Sequence, residues 1–167
     1  MSQAYGLDPG QVKRFIVVPT LTAMGSQYAS LSAINLVLGI AMAESRLRYI
    51  RQLTDDGFGP ARGLCQMEPA THDDCWSNWL NFPQQAQVAA VIRGFIGNLA
   101  PSADLMIGNA PYDFAMARIK CWRDRGMLPD WNDAAGMSAF HKRVYNTAGG
   151  AADAAANVVH FKAAIAA

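Results

Sequence analysis

Glu44 is the residue whose type and position best suit acid–base chemistry. It is one of only two glutamates among 167 residues, and no other charged residue lies between Arg14 and Arg46. It directly follows the apolar residues 31–43, which predict a buried helix. A carboxylate there meets the negative end of the helix dipole and apolar surroundings, and both favour its protonated form. Glu44 is therefore a candidate general acid, and a surface ion pair with Arg46 or Arg48 is the alternative.

Other side chains that could carry chemistry form weaker patterns. The run His72-Asp73-Asp74 has the residue types of a metal site, but acids in the first turn of a helix capped by Thr71 account for it better. No metal site and no cofactor are predicted. His141 and His160 are interpreted as structural or surface residues. Tryptophans at helical spacing, such as Trp76 and Trp79, are typical of a core, although stacking on a sugar is the alternative.

The elements that must position Glu44 are predicted to be mostly helical. The helix that contains it starts at Ser32 and is apolar nearly all round, which indicates burial on every side. Residues 55–63 are rich in turn formers, and a small β excursion is predicted near residues 48–58. The other predicted helices begin at Asp8-Pro9, Thr71, Pro83, Pro111 and Asp133, and a last one follows Gly149-Gly150.

Composition limits the class of protein. The length favours one domain, and 51% hydrophobic with 16% charged residues excludes a disordered chain. A net charge of +1 argues against a dedicated nucleic-acid binder. The cysteines are odd in number, which suits a reducing cytosol, with a Cys65–Cys75 disulfide as the alternative. The apolar residues 31–43 fall short of the about 20 residues that cross a bilayer, so no membrane anchor is predicted.

Three short motifs follow one another along the chain. They are Glu44-Ser45, then Gly63-Leu64-Cys65-Gln66-Met67 with Pro69-Ala70-Thr71 behind it, and finally Tyr145-Asn146-Thr147. In this order they resemble the signatures of lytic transglycosylases and goose-type lysozymes. Over about residues 10–162, the amino-acid sequence is similar to that of bacteriophage endolysins or virion lysins of the lysozyme-like superfamily. The stretches Leu36-Val37-Leu38-Gly39 and Ala115-Met116-Ala117-Arg118 belong to that similarity.

The resemblance implies a fold and a set of roles. The fold would be mainly α, a lysozyme-like single domain over residues 1–167 with a buried central helix and no separate wall-binding module. Glu44 would protonate the glycosidic oxygen between N-acetylmuramic acid and N-acetylglucosamine, and the hydroxyl of Tyr145 would orient it. Gln66 would hold the N-acetyl group or a water, with a turn-stabilising amide as the alternative. The full set of implied substrate-binding residues is Ser45, Gly63, Leu64, Gln66, Met67 and Asn146.

A second carboxylate is the open point of the chemistry. Glycoside hydrolases normally use two, and Asp55 and Asp56 follow Glu44 in the loop where goose-type lysozymes place auxiliary aspartates. Glu68 is the other candidate, although capping the next helix is its simpler role. Lytic transglycosylases need no second acid and release 1,6-anhydro sugars. The hydrolase, the transglycosylase and a non-catalytic glycan-binding virion component therefore remain as alternatives.

The expected setting follows from the same resemblance. Residues 1–13 lack the apolar stretch of a signal peptide, so synthesis in the host cytoplasm is expected. The protein would act in the host periplasm or cell wall after holin-dependent release, or as part of the virion. Peptidoglycan is the expected partner, the protein is expected to be a monomer, and neither nucleic acid nor a membrane anchor is expected.

Overall fold

Helices make up most of the chain, as the sequence predicts. The computed structural model describes residues 4–146 and 153–167. The α-helices are α1 (Pro9–Val12), α2 (Val18–Met24), α3 (Leu31–Ser45), α4 (Pro69–Cys75), α5 (Ala86–Ile96), α6 (Ala110–Trp122), α7 (Ala134–Phe140) and α8 (Ala154–Ala166). π-Helical turns follow α1, α4 and α7 at Lys13–Val17, Trp76–Leu80 and His141–Tyr145. Short 3-10 helices occupy Ser26–Tyr28, Pro83–Gln85 and Ala103–Ile107.

A two-stranded antiparallel sheet is the β excursion that the sequence predicts. Strand β1 (Arg51–Thr54) pairs with β2 (Gly57–Arg62), with Thr54 opposite Gly57 and Leu53 opposite Phe58. The turn between the strands consists of two aspartates, Asp55 and Asp56. The sheet reaches further along the chain than predicted, since a segment rich in glycine and proline was expected to be a loop.

Helix α3 is the buried central helix. Ser30 caps it by accepting a hydrogen bond from the backbone N–H of Ala33 at 3.2 Å, so the predicted cap at Ser32 is wrong by two residues. Every residue from 33 to 42 is buried. Within residues 4–146 and 153–167, no helix is long and apolar enough to cross a membrane.

Helix α6 is the second helix that lies almost wholly inside the fold. Residues 112–119 are all buried, and they include the charged side chains Asp113 and Arg118. Its apolar side chains join two of the hydrophobic clusters, one shared with α4 and α5 and one shared with α3, and Cys121 near its end joins the third. A third cluster joins α3 to α7 and α8. Tyr145 packs against all three clusters, so it lies at the place where they meet.

Most predicted helix starts agree with the structure. The carboxylates of Asp8 and Asp133 accept backbone hydrogen bonds at the starts of α1 and α7. The predicted start at Thr71 is wrong, because α4 begins at Pro69 and the N-cap position belongs to Glu68. Asp74 lies late in that helix and pairs with Arg123 at 2.6 Å. The pair Gly149-Gly150, predicted to precede the last helix, lies outside the described residues.

The cysteines do not pair. Cys65, Cys75 and Cys121 are all free and buried, so the alternative of a Cys65–Cys75 disulfide is wrong. Burial raises the pKa of each thiol, which makes them weakly reactive core residues.

Candidate active site

An open cleft of about 770 Å³ runs past the end of α3. Its walls come from the sheet, from residues 66–71, from α6, from the π-turn after α7 and from α8. Glu44 lies in this cleft together with polar side chains, among them Gln66, Asn146 and Asn157. The segments that contribute these residues lie far apart in the sequence, so the cleft exists only in the folded chain.

Glu44 is held by His141 and not by an arginine. Its Oε1 lies 2.7 Å from His141 Nε2, and the side chains are 20% and 1% exposed respectively. The predicted alternative, a surface pair with Arg46 or Arg48, is wrong, since neither forms an ion pair with Glu44. The carboxyl therefore faces the cleft on one side and a buried imidazole on the other.

His141 is one of two residues at this site that the sequence interpretation did not assign to it. It is buried and contacts the candidate acid, whereas we expected a structural or surface residue. A signal was available, because His141 precedes Tyr145 by four residues and such residues share one face of a helix. Their rings lie 5.9 Å apart, so the segment that carries the tyrosine motif also carries the histidine.

Tyr145 lies in the cleft, but its hydroxyl is committed elsewhere. The hydroxyl donates a hydrogen bond to the backbone carbonyl of Cys65 at 2.8 Å. Burial raises its pKa, and the nearby groups Cys65, Asp113 and Glu44 raise it further, so the hydroxyl stays a proton donor. The hydroxyl predicted to orient Glu44 instead ties the π-turn to the segment 63–67.

The segment 63–67 is a tight turn that contains two residues with left-handed backbone. Gly63 has φ of 74° and Gln66 has φ of 50°. The Gln66 amide donates to the carbonyl of Gly63 at 2.7 Å, which is the turn-stabilising role. Gln66 and Met67 also line the cleft, so the same amide holds the turn and faces the site.

Asp113 lies directly beneath this turn, fully buried, and the sequence interpretation did not single it out. Its Oδ2 accepts a hydrogen bond from the backbone N–H of Cys65 at 3.1 Å. Burial raises its pKa to about 7, although the N–H groups of Leu64 and Cys65 oppose that shift. A Cβ on Gly63 would lie 2.3 Å from the Asp113 carboxyl carbon, so only glycine fits there.

The other predicted substrate-binding residues divide into two groups. Asn146 lines the cleft. Ser45 is buried and bonds only its own helix end, donating to the Ala41 carbonyl and accepting from the Leu47 N–H. Leu64 is buried in the core beside α3, and Gly63 shapes the backbone. The structure therefore assigns Ser45, Gly63 and Leu64 to holding the site, and they do not line the cleft.

The structure does not bring Asp55 or Asp56 into the cleft. Both lie exposed at the tip of the hairpin and neither lines the cavity, because a two-residue turn directs them into solvent. Glu68 and Asp153 are the other carboxylates that line it. Asp153 caps α8 through bonds to two backbone N–H groups, whereas the Glu68 side chain makes no capping bond. Besides Glu44, Glu68 is thus the carboxylate at the cleft whose side chain is not used to cap a helix.

Comparisons of the chain with models of protein families, with curated proteins and with solved structures found no match. In the part of the chain that the structure describes, no group of three or more histidines, cysteines, aspartates or glutamates could hold a metal ion. The cleft and the side chains that line it are therefore the basis for assigning a function.

Proposed function

We propose that this protein degrades peptidoglycan by cleaving the β-1,4 bond between N-acetylmuramic acid and N-acetylglucosamine, with Glu44 as general acid and base. The observation that carries the proposal is the position of Glu44, a partly buried carboxyl in an open cleft at the end of a buried helix. The ordered resemblance of three motifs to lytic transglycosylases and goose-type lysozymes adds the substrate class.

The reaction needs two proton transfers at Glu44. Glu44 donates its proton to the glycosidic oxygen as the bond between that oxygen and the sugar C1 breaks. The ionised Glu44 then takes a proton from the group that attacks C1, either a water or the 6-hydroxyl of the sugar itself. Water gives a reducing sugar, and the 6-hydroxyl gives a 1,6-anhydro sugar, so either product needs Glu44.

The remaining lining suits a chain of N-acetylated sugars. Amide side chains at Asn146 and Asn157 can donate to and accept from acetamido and hydroxyl groups, and the Gln66 oxygen can accept. Tyr49 and Leu53 add apolar surface at the hairpin side of the cleft, where the flat face of a sugar ring can pack. We propose further that the protein works as a phage lysin on the host wall, as a monomer, after holin-dependent release or as part of the virion.

A lytic transglycosylase is the second candidate. The exposed position of Asp55 and Asp56 favours it, because the carboxylates expected to activate a water lie outside the cleft. The presence of Glu68 in the cleft favours a hydrolase. Mass spectrometry of digested sacculi separates the two, since an anhydro product is lighter by one water molecule than a reducing one.

The proposed function is tested with Glu44→Gln, which keeps the size of the side chain and removes its acid. We expect wild-type protein to release soluble muropeptides from purified sacculi, and Glu44→Gln to release none while its unfolding transition is retained. Asp130→Asn is the matched control, an exposed carboxylate changed to an amide outside the cleft lining, and should keep full activity.

Two outcomes would overturn this function. Release by Glu44→Gln at the wild-type rate would exclude Glu44 as the acid. Tight binding of sacculi by wild-type protein without release at any pH from 5 to 8 would instead identify a glycan-binding virion component.

A further inference from the structure

We infer that His141 is the positioning residue for Glu44: its neutral imidazole donates the Nε2 proton to Oε1 and leaves Oε2 free to exchange a proton with the substrate. The inference rests on the proposed function and adds a residue to it. It assigns to His141 the orienting role that the motif resemblance gives to the hydroxyl of Tyr145.

The contact joins two residues that lie 97 positions apart in the sequence. His141 Nε2 is 2.7 Å from Glu44 Oε1, a short distance typical of a hydrogen bond to a carboxylate. No other hydrogen bond or ion pair joins the Glu44 carboxyl to residues 4–146 or 153–167. His141 is therefore the described side chain that fixes which way the carboxyl points.

The imidazole itself is held rigidly. Its ring packs against Phe161 at 5.7 Å and Tyr145 at 5.9 Å between ring centres. Phe161 is fully buried against α3, and the hydroxyl of Tyr145 is tied to the Cys65 carbonyl. Both supports come from elements that surround the cleft, so the orientation of Glu44 follows from the packing of α3, α7 and α8.

The surroundings of Nδ1 indicate which nitrogen of the His141 ring carries the proton. His141 Nδ1 is buried and has no hydrogen-bond partner among the described residues. A proton at Nδ1 would be a buried donor without an acceptor, which is rarer and less favourable than a buried acceptor without a donor. The tautomer with its proton on Nε2 leaves only a lone pair at Nδ1. It also supplies the N–H donor whose hydrogen bond the Glu44 oxygen accepts.

The arrangement separates positioning from substrate contact. His141 is 1% exposed and does not line the cleft, so a bound glycan would touch Glu44 and not the imidazole. Loss of the Nε2 donor should therefore lower kcat and leave KM nearly unchanged. Misplacing a catalytic group by about 1 Å can cost about 100-fold in rate.

A pair of variants of similar size tests the donor. His141→Leu removes it, whereas His141→Gln keeps an amide N–H near the place of Nε2. On soluble glycan fragments we expect kcat of His141→Leu to fall by about 100-fold with KM within about twofold, and His141→Gln to regain at least about tenfold of that loss. Equal losses in both variants, or losses that follow the fall in Tm, would show a merely structural role and overturn the inference.

A second measurement does not depend on activity. The ¹⁵N shifts of His141 in the intact protein report which ring nitrogen carries the proton, and Glu44→Gln should shift the Nε2 signal selectively. A proton found on Nδ1, or an Nε2 signal unmoved by Glu44→Gln, would overturn the inference. A wild-type protein without activity but with the expected signals would refute the proposed function and leave the contact established.

Discussion

Asp113 is the carboxyl that the fold removes most completely from water. It holds the turn of residues 63–67 from below, through the backbone N–H of Cys65, while its Oδ1 has no partner among the described residues. Such a carboxyl is favoured in its neutral form, and its pKa is raised to about 7 for that reason. The turn that presents Gln66 to the cleft is therefore linked to the protonation of a residue that does not itself reach the cleft.

Stability should fall as the pH rises because of Asp113. Its pKa is about 7 in the folded state and 3.8 in the unfolded chain. The stability that its protonated form contributes is therefore full below pH 3.8 and is lost as the pH rises through about 7. At about 1.4 kcal/mol for each pKa unit, the loss is on the order of 4 kcal/mol. Asp113→Asn cannot ionise and should lack this loss in urea unfolding measured from pH 4 to 8.

The comparison of the two proteins isolates Asp113 from other groups. Hydrogen bonds from Asn78 and then Arg123 lower the pKa of Asp74, and arginine partners lower the pKa values of Asp104 and Asp124. These three groups contribute a stability change of the opposite sign. They are present in both proteins, so they cancel in the difference. A difference between wild type and Asp113→Asn that does not change with pH would contradict the assignment.

At the scale of the elements, the contact of α3 with α8 decides the shape of the site. Gly39 lies in the middle of α3, and the ring of Phe161 in α8 fills the space beside it. The same ring supports His141, which holds Glu44 at the end of α3. The close packing of α3 against α8 thus affects the cleft through one side chain, the ring of Phe161.

Gly39→Ala should destabilise the protein and reduce its activity together. The new Cβ would lie 2.3 Å from a Phe161 ring carbon, so the ring must move. We expect a loss of about 1–3 kcal/mol in the free energy of unfolding, which outweighs the gain of about 1 kcal/mol in helix propensity. The control is Gly94→Ala in α5, where nothing lies within 4 Å and the same change should stabilise the helix. Equal effects of the two substitutions on unfolding would argue against close packing at Gly39.

At the scale of the whole molecule, folding brings Glu44 and Glu68 to one cleft. Glu44 ends α3, whereas Glu68 precedes α4 after the hairpin has turned the chain back. The hairpin tip carries Asp55 and Asp56 away from that cleft into solvent. The choice of second carboxylate is therefore a property of the tertiary arrangement.

Glu68→Gln and the double variant Asp55→Asn/Asp56→Asn should differ sharply. If Glu68 assists the attack of water, its loss should lower muropeptide release by about 100-fold, whereas the double variant stays near the wild-type rate. Mass spectrometry of the products gives both the rate and the chemistry. Full activity of both variants with anhydro products would favour the transglycosylase, and loss in the double variant alone would restore the hairpin aspartates as the second acid.

Much of the helical fold could be predicted from the sequence because the residues that mark its helices lie close together along the chain. A run of apolar residues makes α3 a buried helix, carboxylates before helices mark α1 and α7, and proline and glycine mark the breaks. The position of Glu44 at the end of α3 could be predicted for the same reason, and so could the presence of Gln66 in a tight turn. These features depend on neighbours a few residues away, which the sequence displays directly.

What only the tertiary structure decided is which side chains meet. His141 pairs with Glu44, Tyr145 with the Cys65 carbonyl and Asp113 with the turn above it, each across at least 48 residues. None of these pairings is marked by local pattern, although the spacing of His141 from Tyr145 places both on one helix face. A buried hydrogen bond is fixed by where the elements pack and not by spacing along the chain. The amino-acid sequence by itself determined the candidate acid and the helix that carries it, and packing of α3, α6, α7 and α8 determined what holds that carboxyl in place.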